Sequence, residues 1–305
     1  MINSSHNATF IKKYLSKRRS NKQYSKRFSR SKVGNVFYFM FIAAFGVFCM
    51  LPLIYCITTS FKPLDEILIF PPRFFVRRPT SLNYVNLSSL LSALQLPLSR
   101  YIFNSVFVSV ITTIFYVIMS SMAAFALSKG RFKGRKVIFI IVQFALLFNS
   151  YTLALPQYLI LARMNMIDTY LVYILPQLAT TLGVFLIKQY IEGYIPDTLL
   201  EAAKIDGAGY FRIFWQIVMP MIKPSWLTLT LFAFQSIWSF IPASTIFSDQ
   251  LKTLPMVLTQ ITAGGIARSG SAMAITVIIM IPPIIIYMIS QSNVIEAMSS
   301  AGIKE

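Results

Sequence analysis

Acidic side chains are scarce: the 305 residues carry ten Asp and Glu against 28 Lys and Arg. No paired carboxylates lie in the long apolar runs, which argues against proton or sodium coupling and against an intramembrane hydrolase. Histidine is nearly absent. His6 is the only one, it has no ligand neighbours, and no Ser/His or metal constellation can be built without more. The two cysteines, Cys49 and Cys56, both fall inside the first apolar run. A helix would hold them on one face roughly 10 Å apart, too far for a disulfide. They read as small packers. No Gly-x-x-x-x-Gly-Lys-Ser/Thr phosphate loop occurs, and Gly130–Lys136 has the wrong spacing for one. An aromatic-interleaved basic domain of the nucleic-acid-binding kind is also missing.

What is abundant is apolar surface. The chain is 56% hydrophobic and 12% charged, with a mean hydropathy of +0.64. A soluble domain of this length carries roughly twice that charged share, so the excess needs lipid. The net charge of +18 is uneven. Residues 1–34 hold Lys12, Lys13, Lys17, Arg18, Arg19, Lys22, Lys26, Arg27, Arg30 and Lys32, and no acid. Such an arm binds nucleic acid or lies against an anionic inner leaflet. The apolar run behind it favours the leaflet.

Six apolar runs follow. The first, 35–60, would be ~39 Å of helix, enough to cross a ~30 Å hydrocarbon core. It is too long for a signal-peptide core and lacks a small-residue cleavage site, so it reads as an uncleaved signal anchor kinked at Pro52. Residues 61–98 form a Pro-rich external loop, with a short helix expected over Asn86–Leu94. The other runs are Tyr101–Leu127, Val137–Ala162, Tyr170–Tyr190, Pro224–Ile241 and Ser271–Ser290. Cation-dense residues 128–136 separate the second run from the third, and a polar stretch at 191–222 separates the fourth from the fifth. A tail at 291–305 ends the chain.

Six crossings put both ends on one side, and charge identifies that side. The 1–34 tail, the 128–136 turn, residues 188–223 and Lys304 together carry 20 cations. The opposite face keeps eight: Lys62, Arg73, Arg77, Arg78, Arg100, Arg163, Lys252 and Arg268. Cytoplasmic loops are the Lys/Arg-rich ones, so both termini are expected in the cytoplasm of a bacterial plasma membrane.

The polar stretch holds the strongest motif. Pro196 suits the first turn of a helix, and Asp197 complements the positive end of its dipole. Glu201 and Lys204 are spaced to pair at i, i+3. Ala202 and Ala203 present almost no side chain. Gly207 and Gly209 then break the helix, with Asp206 as a turn residue. Phe211, Phe214, Trp215 and Val218 recur at helical spacing, and Pro220 starts the next element. The expectation is a cytoplasmic helix–turn–helix, against the blander alternative of a loop resting on the membrane surface.

This pattern resembles the "EAA" loop of type I ABC importer permeases. Glu201, Ala202, Ala203, Gly207, Ile217 and Pro220 stand at the family's spacing, with Met219 where Leu is usual. The likeness extends over 99–290 and is nearest the carbohydrate, maltose-type, binding-protein-dependent subgroup. Its supporting pieces are Asn104-Ser105, the Ala123–Ser128 segment, Ile167-Asp168-Thr169 and Ile205-Asp206-Gly207-Ala208. The ending Ser299–Glu305 matches that subgroup only loosely.

The resemblance implies an all-α integral membrane fold with six transmembrane helices and a coupling loop at 191–222. It implies that the Glu201 helix docks on a separate ATPase, which alone uses ATP and Mg; this chain would bind no cofactor and catalyse nothing. It further implies two ATPase subunits, a homologous permease forming a heterodimer, and an extracellular solute-binding protein. The expected cargo is a sugar, more in keeping with an oligosaccharide, and a polyamine or phosphate ester is the alternative. An ion-coupled carrier or membrane enzyme would not explain the loop. Polar residues inside apolar runs are costly and tend to face a cavity or a partner helix. Asn149, Tyr151, Gln157, Gln177, Gln235 and Trp238 are therefore the candidates for touching solute.

Overall fold

The computed structural model describes residues 32–93, 96–148 and 150–302. The 1–31 part of the basic arm, His6, Asn149 and the last residues 303–305 lie outside the described residues, as do the side chains of Tyr151 and of 292–302. Among the described residues all regular structure is helical.

The chain divides into two units, 1–54 and 55–305. Within the first, helix α1 (Lys32–Ser60, which runs on into the second unit) leaves its side chains exposed from Val33 to Ile54. A helix apolar all round is stable only in lipid or inside another protein.

The second unit begins with a small lobe. Helix α2 (Leu64–Ile67) and helix α3 (Leu82–Ala93) are tied together by buried polar groups. The Glu66 carboxylate accepts the backbone N–H groups of Arg77 (2.9 Å) and Arg78 (3.4 Å). These bonds, the Arg77 one foremost, hold it below the usual carboxylate range. Lys62 donates to the Arg73 carbonyl, and burial lowers its ammonium pKa. Asn83 donates to the carbonyls of Ser60 (2.8 Å) and Lys62 (2.7 Å). The short helix thus starts four residues before the position expected from sequence.

Helix α4 (Leu98–Lys129) is the central crossing. It packs against helices α7 (Leu171–Leu178) and α8 (Leu182–Tyr194), and against α12 (Lys223–Trp238) and α13 (Leu254–Thr262). Its buried face is rich in small hydroxyls: Ser105, Ser109, Thr112, Ser120 and Ser121. Without water to expel, apolar crossings associate through close approach, which small residues permit. The last helix, α14 (Ser269–Gly302), packs on α12, α13 and α3.

The third apolar run differs from expectation. Instead of one crossing over Val137–Ala162 it forms two helices, α5 (Arg135–Ala145) and α6 (Ser150–Arg163). Neither alone is long enough for the ~30 Å core. The break falls between Ala145 and Ser150. Pro156 inside α6 removes one further backbone donor. The fourth run is interrupted at residues 179–181, between α7 and α8, though Leu171–Tyr194 together are long and apolar enough to cross. Four spans among the described residues meet that test: Val33–Ser60, Leu98–Lys129, Leu171–Tyr194 and Ile266–Gln291. A fifth arises if Tyr210–Met221 and Lys223–Trp238, bent by 80°, count as one. Among the described residues, the spans long and apolar enough to cross therefore number four or five, where six apolar runs were expected.

Candidate functional site: the coupling loop and the cleft above it

The stretch 191–222 folds into the expected helix–turn–helix. Helix α9 (Asp197–Ile205) follows Pro196, whose extended backbone (φ −70°, ψ 143°) sets the entry. It ends at Asp206, and Gly207 takes φ +79°, where side chains are strained and glycine is not. The Ala208 N–H then reaches back to the Ala203 carbonyl at 2.9 Å and closes the helix end.

The return arm is helix α10 (Tyr210–Ile213), a π-helical turn over Phe214–Val218, and helix α11 (Met219–Met221). Met219 N–H bonds to the Phe214 carbonyl, five residues back. Pro220 has no N–H for the carbonyl of Gln216, and widening the turn is one way to relieve its ring clash. The widening corrects the sequence reading of one shared apolar face. Ile213, Phe214 and Val218 are buried, whereas Phe211 (70% exposed) and Trp215 point outward. Ile222, fully buried, is the pivot at the 80° bend into α12.

The loop's inner side is glued to the crossings. Leu200, Ala203, Ile213, Phe214 and Val218 share one apolar cluster with Phe125, Ile191 and Ile195. The Phe125 and Phe214 rings lie 5.8 Å apart. Of the named loop residues, Ala203 is buried, Ile217 and Met219 are half-buried, and Glu201, Ala202, Asp206, Gly207 and Pro220 are exposed. The outer side carries Ile205 (87% exposed), Tyr210, Phe211 and Trp215. These apolar groups are gathered on the outer side of an otherwise polar loop.

Its ion pairs are not the ones expected. Glu201 does not pair with Lys204. Its Oε1 lies 3.3 Å from Arg131 Nη2, and Lys204 instead sits 4.7 Å over the Tyr210 ring. Asp197 Oδ1 is 2.7 Å from Lys129 Nζ, and the Lys129 hydrogen bond holds its carboxyl below the usual range. The acidic face of α9 turns toward residues 129–131, because residues i and i+4 share a helix face.

Higher in the crossings, α4, α7, α8 and α12 enclose a cleft of about 160 Å³ lined by Tyr116, Gln177, Thr180, Leu182, Leu229, Phe232, Ala233, Ser236 and Ile237. Of the solute candidates whose side chains are described, only Gln177 lines it. Gln157 is half-buried on α6, and Gln235 is exposed on α12. Trp238 is buried, its indole N–H bonded to the Ile279 carbonyl at 3.1 Å. Tyr116, Thr180 and Ser236 were missed by sequence reasoning. The Thr180-Thr181 pair directly after Pro176-Gln177 was the available signal, a polar interruption in an apolar run. Among the described residues no group of His, Cys, Asp and Glu could hold a metal.

The comparisons with known proteins agree with this geometry. The family described as binding-protein-dependent transport system inner membrane component matches residues 117–300. The arabinooligosaccharides transport system permease protein of Halalkalibacterium halodurans is 30% identical over 279 residues, covering 87% of this chain and 94% of that protein. Its Bacillus subtilis counterpart is 27% identical over 292 residues, covering 92% and 99%. Among solved structures, a bacterial ABC transporter chain involved in the import of the acidic polysaccharide alginate has the same fold. Its TM-score is 0.68 at 23% identity, covering 86% of this chain and 98% of that one.

Proposed function

The chain belongs to the binding-protein-dependent transport system inner membrane components, and from that premise we propose that it forms half of the pathway for an oligosaccharide in an ATP-driven importer. It is a multi-pass membrane protein and a transporter subunit rather than an enzyme. One observation carries the mechanism: the helix–turn–helix that holds Glu201-Ala202-Ala203 is buried against α4 and α8 on one side, and on the other exposes Ile205 of α9 together with Phe211 and Trp215 of the return arm. A separate ATPase would seat on that outer face. ATP, with Mg, would be used there and not by this chain. Closure of two ATPases would draw this loop toward the equivalent loop of a homologous permease. The apolar inner face would carry the displacement into the crossings. A solute-binding protein would deliver cargo on the opposite side of the membrane, and the inside-charge bias puts both termini with the ATPases.

Sugar as the cargo is supported by two relatives named for arabinooligosaccharide transport and by the cleft. Tyr116 and Phe232 offer aromatic edges or faces, and Gln177, Thr180 and Ser236 offer amide and hydroxyl groups. That mixture suits a neutral polyol better than a polyamine, which would want carboxylates.

Uptake of labelled arabino-oligosaccharides, malto-oligosaccharides and putrescine in a strain lacking this chain tests the cargo. Loss of at least one oligosaccharide is expected. Loss of putrescine uptake alone would overturn the sugar reading. Copurification tests the docking face: Ile205→Glu or Glu201→Lys is expected to lower ATPase recovery while the chain still inserts. Full recovery with both would refute the docking.

A further inference from the structure

Coupling requires that the crossings follow the loop, and one cation is placed to enforce this. Lys129 is the last residue of α4. Its side chain is only 10% exposed. The ammonium bonds at 2.7 Å to the Ile195 carbonyl, which ends α8, and at 2.7 Å to the Asp197 carboxylate, which begins α9. One side chain thus joins three elements: the central crossing, the neighbouring crossing and the coupling helix.

Its surroundings hold it there. After Lys129 the backbone turns extended at Gly130, where a Cβ would stand 2.3 Å from the Ala126 carbonyl oxygen. Arg135 Nη1 donates to the carbonyls of Ser128 and Gly130, each at 3.0 Å, and so caps the end of α4. Arg131, two residues on, meets Glu201 one turn further along α9. That second pair is open to solvent on both partners, so screening leaves it weak. Lys129 itself is shielded and makes two charge-assisted contacts, which are the stronger kind; its carboxylate partner Asp197 is 76% exposed, so the contact to the Ile195 carbonyl is the better protected of the two.

We propose that Lys129 is a positioning residue that makes α4 and the coupling helix move as one body. This rests on the reading that the loop is driven by a docked ATPase. The consequence reaches the cleft. Tyr116 lies 13 residues, ~20 Å of helix, from Lys129 on the same crossing, so a displacement taken up at Lys129 is delivered along a rigid rod to the cleft wall. Apolar packing at Phe125–Phe214 resists separation of the two elements but not sliding along them. A directional bond at the end of the rod resists both.

The test uses the transporter complex isolated from membranes through a tag on this chain. Cys49 and Cys56 are replaced by Ala, and nitroxide labels are placed at Thr198→Cys on α9, away from the outer apolar face of the loop, and Met119→Cys on α4, both exposed. The label–label distance is measured without nucleotide and with ATP plus vanadate. In the parent the distance is expected to be the same in both states. In Lys129→Gln it is expected to shift or broaden when nucleotide is added. Asp197→Asn should behave likewise, and Lys129→Arg should restore the parent distances. Unchanged distances in both Lys129→Gln and Asp197→Asn would overturn the tether, as would a nucleotide-dependent shift in the parent. Absence of any ATPase from the isolated complex would be a different failure: it would overturn the importer reading itself, and the tether with it.

Discussion

Tyr116 and Gly183 meet closely: the Tyr116 hydroxyl accepts the Gly183 N–H at 2.7 Å, and a Cβ on Gly183 would stand only 2.7 Å from that same oxygen. The contact joins α4 to the first turn of α8, just after the interruption in the fourth run. First-turn N–H groups lack helical partners, and Tyr116 supplies one. The same absent side chain lets Ser120 and Leu229 close in, at 2.7 and 2.9 Å from the missing Cβ.

Gly183→Ala should therefore destabilise the purified protein by about 1–3 kcal/mol through overpacking. Thermal unfolding in detergent would show it as a lowered midpoint. Gly46→Ala, with nothing within 4 Å of its Cβ, should be neutral or slightly stabilising in the same assay. Equal midpoints for the two variants would remove the case for tight packing at Gly183.

Tyr116→Phe isolates the hydrogen bond from the ring. The buried Gly183 N–H would lose its acceptor, at a cost of about 1–3 kcal/mol. Amide exchange at residues 182–184 should quicken while the rest of α8 keeps its protection.

Asp168 clamps two turns together. Its carboxylate accepts the N–H groups of Phe247 (3.0 Å) and Ser248 (2.9 Å) and also the Ser248 hydroxyl, while its own N–H bonds the Thr245 carbonyl at 2.9 Å. The Ser248 hydroxyl foremost, and then these N–H groups, hold its pKa below the ordinary value. A depressed folded pKa means the clamp is fully effective above the unfolded value of about 3.9 and is lost as pH falls through the folded one. Hydrogen exchange of residues 245–248, corrected for intrinsic rates, should rise only below about pH 4 in the parent. Asp168→Asn should show the raised exchange already near neutrality.

Asn83 holds the lobe at residues 61–93 to the last crossing. Its amide caps the carbonyls of Ser60 and Lys62, and its own carbonyl accepts Ser271 Oγ at 3.4 Å. A Cβ on Gly270 would fall 2.2 Å from Asn83 Oδ1. Both Asn83→Ala and Gly270→Val should expose residues 61–93 to added protease faster than the parent, without loss of membrane insertion. Cleavage at the parent rate in both would show that the lobe is held by other contacts.

Trp238 separates packing from solute contact. With its ring buried and its N–H bonded to Ile279, Trp238→Phe should cost about 1 kcal/mol of stability. The concentration dependence of oligosaccharide uptake should stay unchanged. A changed dependence would return Trp238 to the pathway.

Much was legible in the sequence for plain physical reasons. Long runs without charge are stable as helices in lipid or packed against other apolar helices, so the crossings at 35–60, 101–127 and 271–290 fell where the helices α1, α4 and α14 are. Gly207 marked the helix end because few residues accept φ +79°. The Glu201-Ala202-Ala203 spacing placed α9 because helix starts and stops are written locally, in Pro196, Asp197 and the glycines. What composition could not reveal is which neighbour each polar group would meet. Glu201 and Lys204 are correctly spaced to pair, yet the tertiary fold brings Arg131 and Tyr210 to them instead. Phe211 and Val218 share a face in an ideal α-helix, and the π turn forced near Pro220 parts them. The cleft behind Tyr116 and the three-way bond of Lys129 both join residues tens of positions apart. A sequence records the strength of such groups as donors, acceptors and apolar surface. Only the packed chain decides where each is spent.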